Sequence, residues 1–426
     1  MASLAVVLII LGCGALMYLK GTVFKALTMI IIAILSGVIA FAFFEVLSNI
    51  IINRGNNGSM LSLVPWAQTL CFAILFIVSF GLLQTAASFL GRHEVDFGFM
   101  PELIGRIVCG IILGFIVSGF LLTALQMAPL PLSYPYQRFD PARLETDNPS
   151  TPLLKSDSFI TGLFGIISNG SLRGKNSFKT IHPNYLDQLF FNRFLGDASG
   201  VSGVYPAIEV PKPGVWPASE AVKKQVDSFV SELRTRGGKV VYEPSGKSVA
   251  IPISTKESYN PTIVRVGIKK RAIKREASIN GGIFTPSQLR LICTRSTGEA
   301  VNVYPIGYLK TKDEIQISPE IKLEAKNIEG SARFIDFVFC VPSGFEPELV
   351  QFKLNSIVQI PTGAIVTADK APPVEPFSYS APAPQGNRNN QRQSQSRNQQ
   401  PRQQTGSRKR GLSDISKSVV GDEFDE

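Results

Sequence analysis

The chain has 426 residues, with 43 Lys or Arg against 33 Asp or Glu, so its net charge is +10 at neutral pH. This length suffices for two or three structural units, and the basic balance is typical of contact with anionic lipid, nucleic acid or another polyanion. The chain has two histidines, and its five cysteines show no CxxC spacing, so we predict no metal site and no cofactor.

Four apolar runs occupy the first third of the chain, at residues 3–19, 26–44, 60–90 and 107–137, and prolines end the last one near Met127. A bilayer core needs about 20 apolar residues in a helix, so each run predicts a membrane-spanning helix. A cleaved signal peptide is the alternative for the first run, but that run lacks a basic start and three further spans follow it.

Basic residues near the spans predict the orientation. Lys20 and Lys25 lie between spans one and two, and Arg92 and Arg106 lie between spans three and four. Because Lys and Arg concentrate in cytoplasmic loops, both termini are predicted to be extracytoplasmic. Basic residues just after span four weaken this bias.

Span four carries small residues at helical spacing, Gly110, Gly114 and Ser118, which share one face. Small residues permit close helix packing, either within the bundle or between two copies of the chain. No strongly charged residue lies in the middle of a span, and Glu45 is predicted at the membrane interface.

A further set of residues in the first 130 positions forms a family pattern. It comprises Lys20-Gly21, Phe24-Lys25-Ala26-Leu27 and Ala40 in span two, Pro65-Trp66 before span three, and Leu103, Arg106, Gly110 and Gly114 in span four. With four spans and short loops, this resembles the colicin V production protein (CvpA) family. The resemblance implies a small bacterial inner-membrane protein linked to toxin production or export and to envelope maintenance, without a known reaction.

Residues 131–200 are predicted to form a juxtamembrane linker with an amphipathic helix. Phe159, Leu163, Ile166 and Ile167 fall on one helical face within residues 158–167. This face either lies on anionic headgroups or docks on the bundle or the soluble region.

Residues 201–370 are predicted to form an extracytoplasmic α+β domain dominated by an antiparallel β-sandwich. A helix over residues 219–236 has one apolar stripe, and Gly237-Gly238 ends it. Period-two patterns then predict strands at residues 239–243, 249–253, 263–268, 289–294, 301–308, 315–317, 334–342 and 350–360.

Strand parity argues against a disulfide between Cys293 and Cys340. Cys293 alternates with apolar residues that face inward, whereas Cys340 shares the outer face of its predicted strand with Asp336. No phosphate loop, nucleophile elbow or His-Asp-Ser set can be assembled from the sequence, so the chain is predicted not to be an enzyme.

The densest basic run in this domain is Lys269, Lys270, Arg271, Lys274 and Arg275, which is either solvated surface or a contact for a polyanion or lipid. It lacks interleaved aromatics, so nucleic acid is not an expected partner. Residues 371–426 are Pro-, Gln- and Arg-rich and are predicted to be a disordered tail.

These patterns predict a four-helix membrane bundle that carries a soluble interaction domain in the bacterial inner membrane. The expected partners are the lipid bilayer, an anionic lipid or cell-wall polymer, and a second copy of the chain through span four. The alternatives are a subunit of an oligomeric transporter or channel, and a membrane-anchored envelope hydrolase.

Overall fold

The computed structural model describes residues 2–54, 61–90, 99–144, 146–170, 177–195, 206–242, 247–252, 254, 258–273, 283–317, 320–328 and 330–375. The predicted tail therefore lies outside the described residues, apart from its first five positions. Within those five positions, Ala371 and Val374 pack against buried side chains of the soluble region, and Pro373 O accepts a hydrogen bond from Arg265 at 2.7 Å. The predicted disorder of the remaining tail stays a prediction.

Four long apolar helices form the N-terminal part, as predicted: α1 (Ala2–Lys20), α2 (Val23–Arg54), α3 (Ala67–Leu90, after a 3-10 segment at Leu61–Trp66) and α4 (Phe99–Met127). Each has the length and apolar character needed to cross a membrane. Pro129 lies just beyond the end of α4, where its ring prevents the helix from continuing. The helix α2 is longer than its predicted span: it continues nine residues beyond Glu45, the residue that follows the apolar run 26–44.

The glycines of span four pack against α1. A Cβ atom added at Gly114 would lie 2.7 Å from Ile10 Cα, and one at Gly110 would lie 2.9 Å from Gly14 Cα, so only glycine permits this approach. Ser118 is buried and donates its hydroxyl to Phe115 O at 2.8 Å. The two glycines therefore pack within the bundle, and a second copy of the chain would need another surface.

Aromatic side chains fill the space between α2, α3 and α4. Phe41 and Phe72 lie edge to face with their ring centres 5.0 Å apart, and Phe120 is buried beside them. We call the buried set that contains Phe41, Phe44, Phe72 and Phe120 the bundle cluster. It is the apolar core of the membrane part.

Three shorter helices follow: α5 (Ser156–Asn169), α6 (Phe178–Ile181) and α7 (Tyr185–Phe194). Ile160 and Phe164 of α5 belong to the bundle cluster, so α5 docks on the bundle. The docking face is not centred on the predicted stripe, because Phe159 and Ile166 are exposed.

The soluble region begins with two short strands and the helix α8 (Glu220–Thr235), which matches the predicted helix within one residue at each end. Ser219 caps its start by accepting from Val222 N. The strands are β1 (Ile208–Glu209), β2 (Val215–Pro217), β3 (Lys239–Tyr242), β4 (Lys247–Ala250), β5 (Tyr259–Lys269), β6 (Ile283–Phe284), β7 (Leu289–Thr294), β8 (Ala300–Val303), β9 (Pro305–Thr311), β10 (Glu314–Gln316), β11 (Ile321–Lys322), β12 (Ala332–Pro342), β13 (Glu346–Phe352) and β14 (Ser356–Gln359).

These strands form antiparallel sheets. The first sheet has the order β1-β5-β12-β9-β10, with β2 also on β5, and the second has the order β14-β13-β7-β8. Two-stranded sheets join β11 to β6 and β3 to β4. The long β5–β12 pairing places Arg265 opposite Asp336, and the two side chains form hydrogen bonds of 2.6 and 2.8 Å.

The soluble region has two apolar clusters. The inner cluster takes buried side chains from both larger sheets, including Val264, Leu291, Phe337 and Phe352. The outer cluster combines the stripe of α8 with residues of the opposite face of the first sheet, including Ile263 and Val338. As predicted, the helix stripe is buried against a sheet.

Two predicted strands are divided in the structure. The predicted strand at 301–308 is two strands because the chain leaves the second sheet after Val303 and joins the first at Pro305. The predicted strand at 350–360 contains a tight turn at Lys353, whose φ is 53°. Neither break carries a glycine, so the period-two pattern concealed both.

Candidate functional site

Three residues of the predicted basic run, Lys269, Lys270 and Arg271, lie in the described part of the chain. Lys269 ends β5, and Lys270 Nζ donates to Ile328 O at 2.6 Å. Arg271 is exposed, while Lys274 and Arg275 lie outside the described residues. The polyanion or lipid contact therefore stays a prediction that depends mainly on Arg271 and on side chains the structure does not describe.

The two cysteines of the soluble region lie on opposite faces of their sheets, as strand parity predicted. Cys293 belongs to the inner cluster, whereas Cys340 packs against the outer cluster. Burial raises the pKa of Cys340 to about 12 and also raises that of Cys293. Thiols in this state are poor nucleophiles at neutral pH.

Helix α7 joins the bundle to the soluble region. Its first half places Tyr185, Leu186 and Leu189 in the bundle cluster. Its second half places Phe190 and Phe191 in the outer cluster. A helix buried on both sides contributes to two cores at once, so the bundle and the sheets share one structural element here.

A buried polar chain crosses the same junction and begins in the membrane part. Glu45 Oε1 of α2 lies 2.6 Å from Nε2 of His182, which follows α6, although the ring N–H is not aligned with the carboxylate. On the other side of the ring, Nδ1 lies 2.8 Å from Gln188 Oε1. The same Nδ1 lies 3.4 Å from an Arg290 guanidinium nitrogen, so the ring contacts both a carbonyl oxygen and a cationic donor.

The chain continues into the second sheet through Arg290 of β7. The Arg290 guanidinium donates to Asn302 of β8, to Gln351 of β13 and, at 3.0 Å, to Ile181 O beside His182. Gln351 Nε2 in turn donates to Lys353 O and Leu354 O, each at 2.9 Å. A continuous set of polar contacts therefore links α2 to β7, β8 and β13.

A tyrosine hydroxyl adjoins this chain. Burial and the nearby Glu45 carboxylate raise the pKa of Tyr185 well above its ordinary value, so the phenol stays neutral. Its hydroxyl has no hydrogen-bond partner among the described residues. We call Glu45, His182, Tyr185, Gln188, Arg290, Asn302 and Gln351 together the junction site.

No protein-family model, no curated protein and no solved structure matches this chain. The function is therefore argued from the geometry of the junction site and its surroundings. Among the residues that the structure describes, no group of three or more His, Cys, Asp or Glu could hold a metal ion.

A second polar group lies where the linker meets the end of α4. Gln126 Nε2 donates to Asp157 Oδ2 at 2.9 Å, and the Tyr136 hydroxyl donates to the same carboxylate. Burial and the Asp157 charge raise the pKa of Tyr136, so its proton is retained. Nearby, Arg138 of the linker forms an ion pair with Asp187 of α7, which connects the linker to this helix.

Two cavities flank the junction. One, of about 240 Å³, lies between α2 and the α5–α6 segment, with Glu45 and His182 in its wall and apolar side chains such as Phe41 and Phe164 around the rest. The other, of about 210 Å³, lies between α7 and the soluble region and includes Asp187 in its wall. Both are lined partly by junction residues.

Sequence reasoning identified Glu45 as an interface residue but placed His182 in a loop without a role. The two are far apart in the chain, and no local pattern pairs them. The available signal was chemical: His182 is one of two histidines, and Glu45 is the acidic residue that ends an apolar run.

Proposed function

We propose that this chain is a membrane-anchored, non-enzymatic interaction protein in which the bundle and the soluble region move as one unit. The junction site carries this proposal, because it links α2 of the bundle to three strands of the second sheet through buried polar contacts. Helix α7 supports it, because the helix contributes side chains to both apolar clusters.

A buried charged network is weak evidence for high stability but good evidence for a fixed relative position of the elements that it joins. Well-packed apolar residues of similar volume often stabilise a fold as much as a buried ion pair does. Buried polar groups, in contrast, keep their hydrogen-bond partners only when the elements that carry them are in one relative position. Arg290 has its acceptors on β8, on β13 and at the end of α6, so its contacts fix the position of the second sheet relative to Glu45 and His182.

The non-enzymatic part of the proposal has chemical support. Burial raises the thiol pKa values of Cys293 and Cys340, which makes both poor nucleophiles. His182 lies between Glu45 and Gln188, and among the described residues no serine or threonine hydroxyl forms a hydrogen bond with its ring. A hydrolase would need a nucleophile within hydrogen-bond reach of such a base.

We further propose the cellular setting that the sequence predicted: a CvpA-like protein of the bacterial inner membrane, with its soluble region extracytoplasmic and a role in toxin production or export and envelope maintenance. The family residues Gly110 and Gly114 pack α4 on α1, and Arg106 pairs with Glu102, which accepts from Val23 N at 2.9 Å. The proposed soluble fold is a β-sandwich, supported by an inner cluster shared between both larger sheets.

The transporter or channel alternative has one structural feature in its favour, the cavity beside Glu45 and His182. This cavity lies between α2 and the α5–α6 segment, and the side chains that line it are mostly apolar. A conduction path would need charged or polar groups through the membrane centre. We therefore prefer the interaction protein.

The coupling is tested by hydrogen–deuterium exchange of the full chain in lipid nanodiscs. Glu45→Gln removes the charge at the membrane end of the junction site, whereas the control Glu102→Gln removes a carboxylate at the opposite end of the bundle. We expect Glu45→Gln to speed exchange in β7 and β13, and Glu102→Gln to leave both strands unchanged. Equal exchange in both variants would show that the bundle and the sheet are not coupled through Glu45.

A further inference from the structure

The helix α5 contacts the bundle some distance inside the end that faces the soluble region. A Cβ atom added at Gly119 of α4 would lie 2.5 Å from Ser156 O, so the start of α5 touches the α4 backbone. Phe164 packs against Gly37 of α2 in the same way. Just before α5, Leu153 N donates to Ser3 Oγ of α1 at 3.1 Å. Three of the spans therefore contact this short segment.

These contacts determine how deep α5 lies relative to the apolar part of the spans. Gly119 lies eight residues before Met127, which is about 12 Å along a helix that rises ~1.5 Å per residue. Gly37 is equally far from Glu45. The uncharged run 26–44 covers about 29 Å, which is close to the ~30 Å of a hydrocarbon core, so that core ends near Glu45. Helix α5 thus lies inside the apolar layer.

The outward face of this segment is apolar and uncovered. Leu154, Phe159 and Ile166 expose 52%, 49% and 68% of their surface, and Leu153 is exposed beside them. For comparison, Ile77 on the outer side of α3 exposes 66%. The outward face of α5 thus continues the exposed apolar surface of the spans.

The polar side chains of the segment do not oppose this placement. Asp157, the acidic residue of α5, is buried and accepts hydrogen bonds from Gln126 and Tyr136. Its charge is therefore directed into the protein. Lys155 and Lys179, at the two ends of the region, are exposed, and long basic side chains can reach the headgroup level from such positions.

We infer that Ser156–Asn169, with the preceding Leu153–Lys155, is a fifth membrane-embedded element. It lies within one leaflet, with Leu154, Phe159 and Ile166 against lipid acyl chains. The chain leaves the membrane after α4, returns to it through α5, and leaves again at α6. This inference concerns the bilayer contact alone and holds whether or not the junction site couples the two parts of the protein.

Photocrosslinking of the full chain in nanodiscs tests the placement. p-Benzoylphenylalanine is introduced singly at Phe159 and Ile166, at Ile77 as the lipid-facing control, and at Ser228, which is exposed on α8. After irradiation, intact-mass analysis identifies adducts. We expect phospholipid adducts at Phe159 and Ile166 in a yield comparable with Ile77, and none at Ser228.

Two outcomes would overturn the inference. One is the absence of lipid adducts at Phe159 and Ile166 while Ile77 forms them. The other is a crosslinked dimer at these positions, which would assign the face to a second copy of the chain. Folding of each variant is checked by the resistance of Cys293 to alkylation, since that thiol is buried in the inner cluster.

Discussion

The side chain of Arg290 provides the sharpest test of the junction site. Arg290→Met removes the guanidinium but keeps most of the side-chain volume. Arg290 is 3% exposed, and its loss leaves acceptors on Asn302, Gln351 and Ile181 without this donor. A buried acceptor left unsatisfied costs about 1–3 kcal/mol. Because such costs are not additive and methionine removes a buried charge, we expect a net loss of about 3–5 kcal/mol.

The same strand offers a matched control. Arg295 directly follows β7, is partly exposed, and pairs with Glu299 at 3.3 Å. An exposed pair contributes about 0–1 kcal/mol, so Arg295→Met should have little effect.

The assay is hydrogen–deuterium exchange of the full chain in nanodiscs, followed in β7, β13 and α7. For Arg290→Met, the expected loss corresponds to exchange about a hundredfold to a few thousandfold faster. For Arg295→Met, exchange should rise less than about fivefold. If both variants behave alike, or if the effect of Arg290→Met stops at the strands and does not reach α7, the guanidinium does not hold the junction together.

Three further outcomes are expected. Gly114→Leu should destabilise the bundle by about 1–3 kcal/mol, because the leucine side chain would overpack against α1. Gly81→Leu should be tolerated, because no neighbour lies within 4 Å of its Cβ position. Thermal unfolding in detergent compares the two variants, and equal melting temperatures would contradict the packing of Gly114. Cys340 is half-buried, and desolvation raises its pKa to about 12, so it should react slowly with iodoacetamide at pH 8. It should react rapidly after denaturation in SDS, and mass spectrometry detects the difference. Native alkylation as fast as that in SDS would refute the raised pKa. A fragment of residues 201–375 should have a lower melting temperature than one of residues 131–375. The longer fragment keeps the aromatic side chains of the linker and α7 that complete the outer cluster, and each should stabilise the fold by about 1.5–3 kcal/mol. Identical melting temperatures would favour a fully autonomous domain.

Elements that depend on local sequence were predictable. The four spans follow from uninterrupted apolar runs, and α8 follows from its stripe, its Ser219 cap and the glycines after it. The strand β7 was predicted with its observed bounds, and Cys340 of β12 packs on the outer cluster, as its strand parity predicted. In each case neighbouring residues carry the signal.

Features that depend on distant partners were not predictable in the same way. The continuation of α2 beyond Glu45 packs Ile52 against Val64 and Ala67, and Glu45 itself contacts His182, far along the chain. The docking face of α5 is set by Gly37 and Gly119, which leave room for its side chains. The role of Arg290 was hidden by its position in an alternating strand, where a polar residue ordinarily faces solvent.

The double burial of α7 has a consequence for how the protein is made. Phe191 lies 5.7 Å from Tyr304 in ring-centre distance and shares the outer cluster with Val338, both of which are synthesised long after α7. At about 5–20 residues per second, the roughly 140 residues between α7 and Val338 take about 7–30 s to add. During that interval, one side of α7 can pack on the completed spans, while Phe139 of the linker, which is made earlier, can already lie against Phe190 and Phe191 at ring-centre distances of 5.3 and 5.2 Å. The rest of this aromatic surface stays uncovered beside the membrane until the first sheet is complete.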